Sequence, residues 1–354
     1  MIAPAQLGSA TELGTNQAHS SSGHSARRPR LLAFSLFLLS PLVGEWLFGN
    51  QPITTIDALV LLAPLYGGGA LLVREVARRS GRGWPTILLL AATYALLLEG
   101  PIDQMLWNPH YGGFDMGAAY AATHVPFLGT SIEMLQDVLT LHTIFSIAVP
   151  IALIEAFDPA PRAPWLGKFG LCAVAAVFLS ASTFLAAAQI ESEDFMATAQ
   201  EFTLAGVAIV ALICSAFLVP RSRRAIDADA PSPRTAGITV FAASSACFLD
   251  GLVPIPTWIM VVGWFVIGGT MIVLISRWSR SRGWSQLHVL AVAGGALLTY
   301  VWVGFEHGRW LDVPTEMALL GNVVFGTGAI LLLAAATRVV KLRQKTHPRI
   351  IGAV

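Results

Sequence analysis

Charged residues are scarce in this sequence: Lys, Arg, Asp and Glu together make up 12% of its 354 residues. Soluble domains carry about 25% of these residue types, so the composition excludes an ordinary soluble protein. The net charge of +1 gives no support for nucleic-acid binding, which depends on an excess of basic residues. Hydrophobic residues make up 55% of the chain, and its mean hydropathy is +0.66. We therefore expect a protein whose main partner is the lipid bilayer.

Cysteine and histidine motifs are also missing. The three cysteines, Cys172, Cys214 and Cys247, show no CxxC spacing, which argues against a disulfide framework or a zinc site. No HExxH sequence occurs, so the most recognisable metalloprotease motif is excluded. We expect the cysteines to be small apolar residues buried within hydrophobic helices, and the pattern points to no particular cofactor.

Long hydrophobic runs are what the sequence has instead. Stretches of roughly 17 to 25 apolar residues can cross a hydrocarbon core of about 30 Å as helices, and ten such stretches follow residue 30. They show no alternation with a period of two, so they predict helices and not barrel strands. The fold class is therefore all-α, a polytopic integral membrane protein. The predicted spans are 31–49, 56–74, 84–106, 133–156, 168–189, 201–220, 236–253, 257–276, 284–304 and 314–338.

Basic residues lie on alternate connections between these spans. Lys and Arg collect on the cytoplasmic side of short loops. With the N-terminus inside, all of the 22 Lys and Arg residues except Arg309 fall on that side, and most acidic residues fall on the other. We expect a multi-pass protein of the bacterial inner (plasma) membrane with both termini in the cytoplasm. The pattern leaves the oligomeric state open.

The basic residues before the first apolar run also fit a secretory signal, but no small-x-small cleavage site follows before Glu45.

The same patterns divide the chain into five parts. The expected parts are a disordered cytoplasmic tail (1–28), a first four-helix repeat (31–157) with an external loop (107–132), a linking helical hairpin with a cytoplasmic loop (166–235), a second four-helix repeat (236–338) and a basic cytoplasmic tail (339–354).

An internal repeat supports the division. Residues 67–98 align without a gap with residues 267–298, and the shared Arg-Gly-Trp turn and double glycine are its most specific part. The alignment pairs span 2 with span 8 and span 3 with span 9, which predicts a parallel duplication of a four-helix unit, spans 1–4 and 7–10. We interpret the paired glycines, Gly68 with Gly69 and Gly268 with Gly269, as places where helices approach closely.

Ionisable residues follow the apolar part of span 3, in the stretch LLLEGPIDQMLWNPHYGG (96–113). Glu99 lies about 22 Å above Trp84 along the helix axis, and Asp103 lies on the same helical face because four residues separate the two. Pro101 removes a backbone donor between them and is expected to kink the helix.

Span 4 carries further ionisable residues on its outer half. His142 lies about 13 Å below the outer surface, a depth at which ionisable side chains usually face a cavity or the bundle interior. The candidate substrate-binding or ion-binding residues are Glu99, Asp103, His110, Glu133, Asp137 and His142. Were a metal bound, its ligands would be Glu99, Asp103 and His142. The sequence assigns no catalytic residue.

Simpler roles are open for two of these residues. Glu99 could end a helix at the lipid headgroups, where a carboxylate is inexpensive to place. His142 could be a neutral imidazole in the core, bonded to Ser146 or to a neighbouring carbonyl.

Several strings resemble a group of multi-pass membrane proteins from high-GC bacteria: YGGGALLVREVARRSGRGWP, LLLEGPIDQ, NPHYGG and HTIFSIAVPIALIEAF. This resemblance covers residues 40–340 and implies a polytopic membrane protein without implying a mechanism. The chain is more distantly similar to the intramembrane CAAX-protease and bacteriocin-processing family, whose motif is a paired glutamate, EExxxR. Here Leu98 replaces the first glutamate, Asp103 stands in place of the arginine, and His142 is followed by Ser146 instead of Asn or Asp.

Three functions fit these observations. A transporter or permease for a small, cationic solute fits the repeat, the acidic outer ends and the prolines that interrupt spans 1, 2 and 4, namely Pro41, Pro64 and Pro150. A membrane-embedded metal-dependent hydrolase or transferase could use Glu99, Asp103 and His142. The third possibility is a non-catalytic assembly or sensory subunit.

Overall fold

The computed structural model describes residues 15–113, 117–221, 224–249, 252–253 and 255–346. The helix that contains the first span begins at Thr15, which lies inside the predicted tail 1–28, and the part of it that is apolar enough to cross a membrane begins at Arg28. The rest of that tail, and the end of the predicted C-terminal tail, lie outside the described residues, so both tails stay predictions.

Ten helices cross or enter the bundle in the described part of the chain, and the all-α prediction is confirmed. All of them except α7 are long and apolar enough to cross a membrane. They are α1 (Arg28–Leu47), α2 (Ile53–Arg79), α3 (Trp84–Ile102), α4 (Ile132–Glu155), α5 (Lys168–Glu193), α6 (Ala199–Leu218), α7 (Pro233–Ala246), α8 (Thr257–Trp278), α9 (Gln286–His307) and α10 (Thr315–Thr346).

Helix α7 is shorter than the predicted span 236–253. Its 14 residues are about 21 Å long, less than the thickness of a hydrocarbon core, because the helix ends at Ala246. It packs alongside α9 in the same direction. Gly237 lies against Ala291, and further along both helices Ser244 Oγ lies 2.6 Å from Thr299 Oγ1. Because α7 and α9 run in the same direction, α8, which lies between them in the sequence, runs in the opposite direction. The ten-span prediction requires this arrangement.

The basic segments converge at one end of the bundle, called the basic end below. Arg343 donates to the carbonyl of Phe157 at 2.5 Å and thereby satisfies a carbonyl just beyond the end of α4. Arg221 Nε donates to the Ser80 carbonyl at 3.2 Å. Contacts of this kind join connections that are far apart in sequence, and they agree with the alternation of basic and acidic connections.

A buried ion network ties α2 to α4 at the basic end. Arg74 is fully buried; its Nε lies 3.1 Å from Glu155 and its Nη1 lies 2.7 Å from Glu75. Arg78 Nη2 lies 2.6 Å from the other oxygen of Glu155. The guanidinium of Arg74 also stacks over the ring of Trp165, 3.3 Å from its centroid. Every charge in this network has a partner, as buried charges require.

The opposite end, called the acidic end below, carries the long connection between α3 and α4. Within it lie the short helix Gly117–Ala122 and a hairpin of β1 (His124–Val125) and β2 (Thr130–Ser131). The Tyr120 hydroxyl donates to the carbonyl of Gly129 at 2.7 Å and also lies 3.0 Å from the carbonyl oxygen of Leu106. These contacts fold the connection back over the ends of α3 and α4.

The paired glycines of the repeat have different surroundings, which corrects one interpretation. A Cβ at Gly69 would overlap the ring of Tyr94, and one at Gly68 would contact Phe178, so close helix packing explains this pair. A Cβ at Gly269 would meet nothing within 4 Å, because α8 is mostly exposed. The prediction of close packing is wrong at Gly269, and the parallel duplication stays a prediction.

The cysteines also differ from expectation. Cys172 and Cys214 are exposed on α5 and α6. In the most apolar stretch of each of these two helices, only 11% of the residues are buried inside the protein. Small apolar side chains are stable against lipid as well as in a core, so apolar character alone could not distinguish the two positions.

Candidate functional site

Polar side chains from α1, α2, α3 and α4 are buried together near the acidic end. We call them the buried polar cluster. Each is at most 8% exposed, although all but one lie in segments apolar enough to span a membrane. The members are Glu45, Tyr66, Tyr94, Glu99, Asp103, His142 and Ser146.

A carboxyl–imidazole pair lies at the centre of the cluster. Glu99 Oε1 lies 2.5 Å from His142 Nε2. The other ring nitrogen, Nδ1, lies 3.3 Å from Ser146 Oγ. Both nitrogens of His142 therefore have a partner, and the expected bond to Ser146 exists beside the contact with Glu99.

A second carboxyl lies on α1. Glu45 accepts a short hydrogen bond from the Tyr66 hydroxyl, and the Tyr66 ring lies 5.5 Å from the ring of His142 between centroids. Gly44 permits this close packing, because a Cβ there would lie 2.7 Å from Ser146 Oγ. Glu45 is close enough that its charge acts on both Glu99 and His142.

Asp103 and Tyr94 complete the cluster. Asp103 accepts from the Met105 amide at 3.1 Å, and its charge acts on His142. The Tyr94 ring lies 6.3 Å from the His142 ring in an edge-to-face arrangement. Its hydroxyl and Glu99 Oε2 are both buried and receive no hydrogen bond from an N–H or hydroxyl donor among the described residues. The carboxyls of Glu99 and Asp103 interact with each other.

Short π-helical segments hold these side chains in place. They are Leu42–Leu47, Ala63–Gly67, Leu98–Ile102 and Leu141–Ala148, and they carry Glu45, Tyr66, Glu99, and His142 with Ser146. In the described part of the chain, π-helical segments occur only in α1 to α4. Such segments are rare and are frequent at functional sites.

Prolines account for the position of each π-helical segment. Pro64 and Pro101 lie inside two of them, Pro41 directly precedes the first, and Pro150 follows the last by two residues. A proline removes one backbone donor and clashes with the carbonyl four residues earlier, so the local hydrogen bonding shifts. The Asp103 amide, for example, donates to Leu98, five residues earlier, at 2.9 Å.

The connection after α3 covers the cluster. It turns at Gln104, whose φ of 61° is left-handed, and Gln104 Oε1 accepts from the Ala197 amide at 2.7 Å. Further along, Glu193 at the end of α5 accepts from Asn108 Nδ2 at 3.2 Å and from the Gly112 amide at 3.1 Å. The connection is therefore held by the hairpin of α5 and α6.

Tyr111 lies on this covering connection and is half-buried. Burial raises the pKa of its hydroxyl, and the charges of Asp103 and Glu99 raise the pKa further. With the cover in place, Glu99 is 4% exposed and Asp103 is 7% exposed. The structure therefore shows the cluster closed. A cavity of about 450 Å³ lies elsewhere, at the basic end beside Arg28 and Trp165.

Of the candidate residues from the sequence, the structure brings Glu99, Asp103 and His142 together. The other three lie outside the buried polar cluster: His110 and Asp137 are exposed, and Glu133 is half-buried. Each of these three has interactions of its own. Within the described residues, no group of three or more His, Cys, Asp or Glu side chains is arranged so that it could hold a metal ion. The donor set thus gives no support to the metal-dependent enzyme.

Four members of the cluster, Glu45, Tyr66, Tyr94 and Ser146, are not among the candidate residues from the sequence. The sequence indicates Ser146 only as a bonding partner of His142. Their signal was the set of prolines: Pro41 and Pro64 mark the α1 and α2 segments that contribute to the cluster, as Pro101 marks that of α3.

The fold and the cluster define a polytopic helical membrane protein with a buried polar site in its first half. Residues 34–341 match an uncharacterized membrane protein family, and the chain belongs to that family. No curated protein and no solved structure matches the chain. The resemblance to multi-pass membrane proteins is thus confirmed, and no match supports the similarity to the CAAX-protease family.

Proposed function

We propose that the protein is a transporter that moves a small cationic solute through the bundle of α1 to α4. The observation that supports this function is the acidic composition of the buried polar cluster. It holds three carboxyl groups, those of Glu45, Glu99 and Asp103, and one imidazole. Among the described residues, no lysine or arginine forms an ion pair with any of the three.

The contrast with the basic end shows why this composition matters. There, Glu75 and Glu155 are as deeply buried, but Arg74 and Arg78 neutralise them. An isolated buried carboxylate costs several kcal/mol unless it is protonated or paired. The cluster therefore favours binding of positive charge, whether protons or a cationic solute.

The backbone of the cluster suits transport as well. Substrate and ion sites of secondary transporters are commonly built where membrane helices are interrupted, and each of α1 to α4 is interrupted by a π-helical segment at the cluster. The exposed sides of α5, α6 and α8 face lipid in this proposal, and the basic end faces the bacterial cytoplasm. The structure then corresponds to a state closed toward the outside.

Reconstitution of the full chain into proteoliposomes tests the proposal. Monovalent cations are supplied outside, and the current driven by an inside-negative potential is recorded. We expect the wild type and Glu191→Gln, a change of an exposed carboxylate on α5, to give similar cation currents. Glu99→Gln is expected to lose the current. A wild type without current for any cation, or a Glu99→Gln variant with full current, would overturn the proposal.

A further inference from the structure

We infer that the buried polar cluster binds an ammonium-type cation, either ammonium or a small protonated amine, between Glu99 Oε2 and the Tyr94 hydroxyl. The inference rests on the proposed function and names the class of solute. It starts from two buried polar atoms of the cluster that receive no hydrogen bond from an N–H or hydroxyl donor among the described residues, Glu99 Oε2 and Tyr94 Oη. The carboxyl of Asp103 interacts with that of Glu99, so two acidic groups adjoin this point.

Both atoms can accept hydrogen bonds. A carboxylate oxygen accepts only, and a tyrosine oxygen accepts as well as donates. Both groups lie beside His142: Glu99 Oε1 is 2.5 Å from its Nε2, and the centroid of the Tyr94 ring is 6.3 Å from that of the imidazole. A buried polar atom without a partner costs about 1–3 kcal/mol of free energy. A ligand with N–H donors and a positive charge removes this cost at both atoms, because it donates a hydrogen bond to each of them.

Aromatic rings lie beside His142, the partner of Glu99. The ring centroids of Tyr66 and Tyr94 are 5.5 and 6.3 Å from that of the His142 ring. The face of a tyrosine ring attracts an ammonium group within about 6 Å of the ring centroid. Carboxylates together with tyrosine rings are therefore suited to an ammonium ion, which needs both a counter-charge and weakly polar contacts.

The cluster is less suited to a metal ion. Metal sites need several donors converging on one point, and in the described part of the chain no three His, Cys, Asp or Glu side chains do so. Glu99 Oε1 and His142 Nε2 are already engaged with each other at 2.5 Å. An ammonium ion needs only the remaining oxygen of Glu99 and the Tyr94 hydroxyl.

Close packing limits the size of the ligand. A Cβ at Gly44 would lie 2.7 Å from Ser146 Oγ, and a Cβ at Gly100 would lie 3.2 Å from the Trp107 ring. Ammonium and methylammonium are therefore expected to bind, and tetramethylammonium, which is larger and has no N–H donor, is expected not to bind.

Equilibrium binding to the purified full chain in detergent tests the inference without any transport. Isothermal titration is carried out with ammonium, methylammonium, tetramethylammonium, sodium and potassium chlorides at constant ionic strength. We expect saturable binding of the first two only. Tyr94→Phe, which removes one hydroxyl, should weaken methylammonium binding about tenfold, whereas Glu191→Gln should leave it unchanged.

The outcomes separate the inference from the proposed function. Sodium or potassium binding as tight as that of methylammonium, or unchanged affinity in a folded Tyr94→Phe variant, would overturn the inference. Methylammonium binding without cation current would support the inference and overturn transport. Cation current carried by sodium or potassium without ammonium binding would support transport and overturn the inference. Because Glu99→Gln affects a central pair, Tyr94→Phe is the decisive variant.

Discussion

Glu99 on α3 and His142 on α4 form a direct side-chain pair, with Glu99 Oε1 2.5 Å from His142 Nε2. The pair joins two helices inside the first half of the bundle. The other nitrogen of the His142 ring lies 3.3 Å from Ser146 on the same helix, which holds the imidazole in the orientation that reaches Glu99. The loss of the imidazole is expected to affect the fold of the site as well as its chemistry.

His142→Ala should reduce the stability of the protein. The change removes the imidazole partner of Glu99 Oε1, and a buried polar group without a partner costs about 1–3 kcal/mol. Chemical unfolding in detergent micelles measures the difference. His124→Ala, at an exposed position of β1, is the control and should change stability much less. Equal losses in the two variants would contradict the role given to the pair.

Arg74→Ala should be more damaging. The substitution leaves Glu75 and Glu155 buried with less positive charge, and removing one partner of a buried ion network costs about 3–5 kcal/mol. Arg282→Ala is a matched control, because Arg282 pairs with Asp227 and Asp229 at the surface with its side chain 65% exposed. Exposed pairs contribute about 0–1 kcal/mol.

Unfolding midpoints of the two arginine variants in the same detergent provide the measurement. We expect a large drop for Arg74→Ala and a small one for Arg282→Ala. A small effect at Arg74 would mean that the network contributes little to the docking of α2 on α4.

The number of helices and their charge alternation follow from the sequence with little ambiguity. Hydrophobic length and the positions of Arg and Lys are local properties, and the contacts of Arg221 and Arg343 at the basic end agree with them. The length of α7 was harder to foresee. Apolar residues continue past Ala246, so composition alone does not show that the helix ends there.

The sequence alone indicates only some of the residues of the buried polar cluster. Glu99, Asp103 and His142 are conspicuous because ionisable residues are rare in apolar helices. Glu45 has the same property, but its partner Tyr66 is 21 residues away, and only tertiary packing joins the two. The prolines were visible in the sequence. Their combined effect, a set of π-helical segments at one depth, depends on how the four helices align.

The paired glycines show why identical residues in a repeat need not share a role. Gly69→Ala should destabilise the protein by about 1–3 kcal/mol, because a Cβ would overlap the Tyr94 ring and force it to move. Gly269→Ala, at the matching position of the second half, meets open space and should be neutral or slightly stabilising, since alanine favours helices more than glycine.

Two measurements check the glycine prediction. Chemical unfolding compares the stabilities, and titration with methylammonium shows whether displacement of Tyr94 weakens binding in Gly69→Ala alone. Equal stability of the two variants would contradict the packing of Gly69 against Tyr94.

Glu193 is expected to control access to the buried polar cluster. Its carboxylate accepts from Asn108 Nδ2 and the Gly112 amide, so it holds the covering connection onto the end of α5. Glu193→Ala removes both acceptors. Each hydrogen bond contributes about 0.5–1.5 kcal/mol, and their loss should raise the population of the open cover about tenfold.

Thiol labelling measures that population. Ser146→Cys is introduced after Cys172, Cys214 and Cys247 are replaced by alanine, and the rate of modification by a small hydrophilic reagent is followed in nanodiscs. Glu193→Ala should accelerate labelling. Glu193→Gln keeps one carbonyl acceptor and should accelerate it less, because one of the two donors can still be satisfied. Identical rates in all three backgrounds would show that access to the cluster does not depend on this carboxylate.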